Sequence, residues 1–224
     1  MPEGQTQKIP FNLEWIAYEH FQQAIDNLLT VGQSAKNKAS QKRVKNVIDP
    51  FSSLFIASTF AIEEPEKLVS FQDAESALRG MSNAMGNFHQ NILGSLDGWV
   101  NHDAGYDLEC KSRKIIAEVK NKHNTMNMSN KREVLEGLRT ALRQKKGTWE
   151  AHLVQIIPRK PVRETKQIEK NLYEIDGASF YHLATGHENS IHDLFFAMCD
   201  YLSPSEQICE HCKKILVESL PPKI

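Results

Sequence analysis

No apolar run in this chain of 224 residues approaches the ~20 consecutive residues that a membrane-spanning helix needs. The first ten residues, Met1 to Pro10, are polar and lack the apolar segment of a secretory leader, which points to a cytoplasmic protein. Cysteine is scarce: four residues in a reducing compartment are thiols rather than staples. Eleven glycines and nine prolines form no low-complexity tract or linker that would divide the chain. Net charge is nearly absent as well, at −1, which excludes a protein that coats nucleic acid through overall charge. What is left is an ordinary globular composition, 40% hydrophobic, on a chain long enough to bury roughly 70% of its unfolded surface. A single domain over 1–224 is expected, with a mainly helical portion to about residue 97, an α/β core over about 98–203 and a C-terminal helix or tail over 204–224.

The charge is unevenly spread. Between Lys111 and Lys146 stand eleven Lys and Arg against only Glu118, Glu133 and Glu136. A neutral protein with one concentrated basic stretch suits a local polyanion site, because counterion release depends on the charges near the phosphates. The competing reading is a solvated helix face.

Hydrophobic spacing divides the chain into helices and then strands with helices between them. Phe11 to about Leu29 has helical spacing, Ala35 to Ile48 reads as a basic helix, and Asp49-Pro50 breaks the chain before the apolar stretch Phe51 to Phe60. Ser70 to Leu96 predicts a longer helix from the recurrence of Leu78, Met81, Met85, Phe88, Ile92 and Leu96. After Gly98, Tyr106 to Cys110 and Arg113 to Lys120 predict a hairpin. Asn130 to Lys146 is helical with Val134, Leu135, Leu138, Ala141 and Leu142 on one face, and Asn130 with Glu133 resembles a capping box. Ala151 to Ile157 and Ser179 to Ala184 read as strands, Ile191 to Leu202 as a closing helix, and Met126 to Met128 as a loop. The whole predicts an α/β sheet flanked by helices, preceded by a helical N-terminal portion.

The chemistry concentrates in Gly105-Tyr106-Asp107, ten intervening residues, and Glu118-Val119-Lys120. Side chains alternate across a strand, so Glu118 and Lys120 point to one face and Val119 to the other. A hairpin brings Asp107 on the neighbouring strand close to that pair. Two converging carboxylates make the hard-oxygen site that Mg²⁺ prefers, with water and substrate phosphate completing its shell. A lysine beside them can orient the attacking water and offset charge developing on phosphorus. A Glu-x-Lys pair alone is ordinarily a solvated face. Here the strand from Ile115 to Lys120 is otherwise apolar, and charges within such a strand are costly unless they are paired or bind an ion.

These residues resemble the PD-(D/E)xK nuclease superfamily, with Asp107 and Glu118 matching its metal ligands and Lys120 its lysine. Tyr106 stands where the family has Pro. More narrowly, Gly86-Asn87-Phe88-His89-Gln90, Gly98-Trp99, Gly105-Tyr106-Asp107 and the block from Glu118 to Thr125 resemble type II restriction endonucleases that cut GGNCC or GGWCC sites. That similarity covers about Asn83 to Arg143. It implies a restriction-endonuclease-like mixed sheet, Mg²⁺-dependent hydrolysis of double-stranded DNA at a short palindromic site to 5′-phosphate ends, and a cognate methyltransferase in the same system. It also implies a homodimer, because a palindrome presents two equivalent strands to a two-fold protein. The helical N-terminal portion is a candidate for part of the dimer contact.

Asn121, Lys122, His123 and Asn124 leave the predicted catalytic strand and are candidates for DNA contact, to bases or to phosphate. Arg132, Arg139 and Arg143 are helix-borne candidates, and Arg159, Lys160 and Arg163 form a second patch after a strand. His89, at the edge of an apolar helix face, is either a satisfied boundary histidine or a positioner of water or phosphate, with Gln90 beside it. Cys209-Glu210-His211-Cys212 invites a zinc reading, but a structural site needs four ligands and no second Cys pair accompanies it, so these read as reduced thiols on a C-terminal helix. Two other readings stay open: a repair or recombination nuclease of the same superfamily, and a DNA-binding module with a vestigial site.

Overall fold

A computed structural model describes residues 11–45, 49–102 and 104–224. The polar Met1 to Pro10 segment and the end of the basic stretch at Ile48 lie outside the described residues. The chain divides into two compact units, Met1–Gln23 with His89–Ile224, and Ala24–Phe88. Among the described residues no helix is long and apolar enough to cross a membrane.

The first unit is built on a six-stranded mixed sheet in the order β1-β2-β3-β4-β6-β5, where β1 is Trp99–Asn101, β2 Leu108–Cys110, β3 Ile115–Lys122, β4 Glu150–Ile157, β5 Thr165–Glu169 and β6 Leu172–Asp176. β3, β4 and β6 are parallel; β1, β2 and β5 join antiparallel. The expected hairpin is β2–β3, with Leu108 opposite Ala117. Register places Glu118, Leu153 and Glu174 in one row and Lys120, Gln155 and Asp176 in the next, all on one face at the carboxyl end of the parallel strands.

That face is covered by α4, Met128–Gln144, where Leu138 and Ala141 pack with Ile116, Ala151, Leu153 and Leu172. The apolar stripe is the one spacing predicts. The cap is not: Asn127, rather than Asn130, caps the helix, accepting from the Asn130 amide at 2.8 Å; of the Met126 to Met128 loop, Met126 and Asn127 are irregular and Met128 is the first helical residue. The opposite face is covered by α5, Gly177–Thr185, whose buried Phe180 lies 5.5 Å from Trp99. Ser179 to Ala184 is therefore helix, not strand. A six-residue apolar run fits either structure, and the caps decide: Asp176 accepts from the Ser179 amide at 2.9 Å and Gly186 closes the helix at φ 78. Gly177 has no room for a side chain, since a Cβ there would lie 2.4 Å from the Ile156 carbonyl. Helices α6, Ser190–Leu202, and α7, Glu206–Ser219, follow.

The helical portion differs from its predicted boundaries. Phe11 to Ala17 is not helical although Leu13 and Ile16 are buried, and α1 runs Tyr18–Lys45, uniting two stretches read as separate. α3 spans Pro65–Gly94. α2, Pro50–Thr59, starts from an Asp49 cap and has no buried residue, with Phe51, Leu54 and Phe55 at 82%, 71% and 71% exposure. They lie three and four residues apart, on one stripe.

Candidate active site

β3 rises out of the core as a buried strand whose last turns carry charge: Ile115 to Ala117 and Val119 are buried, Glu118 and Lys120 partly so. The Lys120 Nζ donates to Glu118 Oε1 at 2.7 Å, so the two charges share a face and satisfy one another. Asp107 sits just before β2, brought opposite Glu118 by the antiparallel register. Its amide donates to the Ala117 carbonyl at 3.0 Å, and its Oδ2 accepts from the Val119 amide at 2.7 Å. Gln90, near the end of α3, also bonds its carboxyl. The three residues singled out by spacing are thus brought together.

Burial, and then the charge of Glu118, push the Asp107 carboxyl up to about 6, against the opposing pull of the Val119 amide, Lys120 and Gln90. Two carboxylates that repel each other at the mouth of a cleft are a fit for a divalent cation, whose charge relieves the repulsion. A cavity of about 330 Å³ opens on them, lined also by His102, Gly105 and Glu133. No group of three or more His, Cys, Asp or Glu able to hold a metal is present among the described residues. Two carboxylates and open space match Mg²⁺, which keeps most of its waters and takes the rest of its shell from substrate phosphate.

The loop that delivers Asp107 is braced. Gly105 adopts φ 88, which favours glycine, and Tyr106 donates its hydroxyl to Glu109. Glu109 is only 2% exposed and is also held by Lys145 from beyond the end of α4, with His102 Nε2 at 3.4 Å. Burial alone would raise the Glu109 carboxyl, but the bonds from Lys145 and Tyr106 outweigh it and hold it below its ordinary value. The Lys145 ammonium also lies 4.5 Å from the Trp149 ring centre. In the sequence Lys145 is only one of the eleven cations between Lys111 and Lys146.

The other candidates fall into distinct places. Asn121 and Lys122 end β3, and His123 and Asn124 begin a short 3₁₀ turn, His123–Thr125. Arg132 is exposed on α4. Arg139 is committed to Glu169 at 2.6 Å and Glu136 at 3.0 Å, whereas Arg143, largely exposed, reaches Glu136 only at 3.5 Å. His89 is buried with Nδ1 2.8 Å from the Tyr181 hydroxyl, and burial pushes it down to about 4, so it stays neutral. Gln90 turns to Asp107. Arg163 donates to the Glu188 carbonyl at 2.7 Å. Cys209 and Cys212 are free thiols on α7, and burial followed by contact with Cys209 pushes Cys199 up to about 11.

Residues 13–204 match the family described as Eco47II restriction endonuclease. The chain is 34% identical over 204 residues to the type II restriction enzyme Eco47II of Escherichia coli, covering 83% of this chain and 84% of that protein. It is 24% identical over 203 residues to the type II restriction enzyme Sau96I of Staphylococcus aureus, covering 82% and 77%. No solved structure matches.

Proposed function

Because the chain belongs to the Eco47II restriction endonuclease family and is therefore a type II site-specific deoxyribonuclease acting on double-stranded DNA, we propose that Asp107, Glu118 and Lys120 are its catalytic centre. The observation that carries this reading is the convergence of Asp107 and Glu118 on one open cavity with Lys120 bonded to Glu118 at 2.7 Å. Asp107 and Glu118 would hold Mg²⁺, which when bound polarises the scissile phosphate and lowers the pKa of a water. Lys120 places a proton-bearing ammonium beside the attacking water and the phosphate oxygens. The Val119 amide and Gln90 fix the Asp107 carboxylate against rotation. Hydrolysis leaves 5′-phosphate ends at a short palindromic site of the GGNCC or GGWCC kind, which a cognate methyltransferase would protect.

The palindrome calls for two centres, hence a homodimer. The stripe of Phe51, Leu54 and Phe55 on α2 is the surface proposed for contact with the second copy. With exposures of 82%, 71% and 71% these three present on the order of 400 Å² of apolar area, about half of the ~800 Å² per partner of a stable interface. A patch of that size falls in the range of the largest that monomers leave exposed, which is often functional.

The test is incubation of the pure protein with unmethylated phage DNA in Mg²⁺ and in EDTA, followed by electrophoresis and end sequencing. Discrete Mg²⁺-dependent fragments with 5′-phosphate ends are expected. A smear without preferred ends would point to a repair or recombination nuclease, and intact DNA across salt and Mn²⁺ conditions to a binding module.

A further inference from the structure

One strand away from Lys120, at the same carboxyl edge of the sheet, a second cleft of about 530 Å³ opens. Its floor is Gln155, the register neighbour of Lys120, and Glu174 on β6. One wall is Lys131 of α4, and the other is the β4–β5 loop carrying Arg159 and Lys160. The far end of the loop is tied to the sheet. Asp176, buried at the end of β6, accepts from the Glu164 amide at 2.7 Å while also capping α5, and its own amide returns to the Glu164 carbonyl at 3.2 Å.

The polar groups of this cleft divide in an informative way. Glu174 takes two bonds from Lys131, at 2.7 and 2.8 Å, and one from Gln155, which uses three of the about four acceptor sites of a carboxylate. One acceptor direction on Oε2 is left, and the floor's charge is compensated. The side chains of Arg159 and Lys160 are exposed and have no hydrogen-bond or ion-pair partner among the described residues, in contrast to Arg139 and Arg143 on α4. A site built only for phosphate would not place Glu164, Glu174 and Asp176 in its lining. Donors on a wall and an acceptor on the floor instead complement a surface that itself carries acceptors and a donor side by side. The major-groove edge of a G·C pair is such a surface, with guanine O6 and N7 accepting and cytosine N4 donating.

We propose that this cleft reads a G·C base pair of the recognition site, with Arg159 and Lys160 donating to guanine O6 and N7 and Glu174 accepting from cytosine N4. The proposal rests on the restriction-enzyme reading above and adds the residues that confer sequence choice. It assigns that role to the β4–β5 loop rather than to Arg139, which Glu169 and Glu136 already hold.

The test is binding by fluorescence anisotropy in Ca²⁺. Wild type, Arg159→Ala and Lys160→Ala are each titrated with three short duplexes: one carrying the mapped cleavage site, one with that site scrambled, and one with 7-deazaguanine replacing the site's guanines. Wild type is expected to lose about ten-fold or more in affinity on the 7-deaza duplex, and the variant lacking the N7 donor to lose the same affinity on the unmodified site and nothing further on the 7-deaza one. If both variants still respond to 7-deazaguanine as fully as wild type, the guanine reader lies elsewhere and the cleft assignment falls while the nuclease reading stands. If each variant weakens mapped and scrambled duplexes equally, with a salt slope about one smaller, these are phosphate contacts and the proposal is again overturned. A wild type that neither cuts at discrete sites nor distinguishes the two sequences removes the reading beneath it. Both side chains are exposed, so melting curves matching wild type are expected and verify the fold of each variant.

Discussion

The Val119 amide donates to Asp107 Oδ2 at 2.7 Å, so the residue between Glu118 and Lys120 serves the site with its backbone while its side chain is buried on the opposite face. One strand thereby presents the Glu118 and Lys120 side chains on one face and fixes the Asp107 carboxylate through the main chain. The arrangement survives any substitution at 119 that keeps an amide N–H and fits the core, and proline meets neither condition.

Asp107 carries a stability cost that can be measured without DNA. Burial and Glu118 push its carboxyl up to about 6, above the value near 4 of an unfolded chain. Ionisation is then harder in the folded state, so the penalty is fully present above about pH 6 and fades as pH falls towards 4. Asp107→Asn should stabilise the EDTA-treated protein by about 2 kcal/mol at neutral pH, with the gain shrinking as pH is lowered. Melting temperatures across that range decide it: a constant gain would show that packing, not charge, is responsible.

Removing the groups proposed as catalytic should separate cleavage from binding. Glu118→Gln and Lys120→Ala are each expected to reduce the cleavage rate by about 10³-fold or more while leaving affinity for the mapped duplex in Ca²⁺ within about ten-fold. Single-turnover cleavage and anisotropy on the same preparations provide the two numbers. Full activity in either variant would reject the assignment of that residue.

The brace behind Asp107 predicts loss of fold stability. Lys145→Met leaves Glu109 buried with its main cation gone, a change that costs about 3 kcal/mol in comparable buried pairs. Denaturant titration should register it, and Glu109→Gln in the same background should recover part of the loss. No recovery would place the cost in the lost packing of Lys145 on Trp149 instead.

Arg139 makes the opposite forecast. Its guanidinium is already taken by Glu169 and Glu136, so Arg139→Ala should leave both the cleavage rate and the salt dependence of DNA binding close to wild type. A salt slope lowered by about one would mean that the ion pairs open on DNA and that Arg139 reaches a phosphate.

For the apolar stripe of α2, Phe51→Ser with Phe55→Ser should shift the sedimentation coefficient from dimer to monomer with little change in melting of the monomeric fold, since neither ring is buried. A double variant that stays dimeric would place the subunit contact on another surface.

The site was the most legible part of the sequence, because a two-residue period admits few alternatives: once Ile115 to Lys120 is a strand, Glu118 and Lys120 must share a face, and a tight hairpin delivers Asp107. The seventeen-residue helix α4 was equally plain from its apolar stripe. Short apolar runs were not, as Ser179 to Ala184 shows, where a cap at Asp176 outweighs β-like composition. Trp99–Asn101, Thr165–Glu169 and Leu172–Asp176 are three to five residues long and gain strand structure from their neighbours in the sheet, a property no local pattern carries. The fate of the cations was also hidden. Arg139 finds Glu169 thirty residues away and Lys131 finds Glu174 forty-three away, partners that only the folded sheet brings within reach. Gln90 was visible as part of a block, but its bond to Asp107 depends on where α3 ends.

The β2–β3 register has a consequence for how this lineage can change. The tip at Lys111 to Lys114 lies outside the paired residues, which are Leu108 to Cys110 against Ile115 to Ala117. Insertions there lengthen a turn and leave the spacing of the paired strands intact. A single-residue insertion between Ile115 and Glu118 would instead carry Glu118 and Lys120 to the opposite, α5-covered face and turn an apolar side chain to the cavity. Length variation among descendants of this gene should therefore collect at the hairpin tip, while the distance from the first paired residue of β3 to Lys120 stays at five positions.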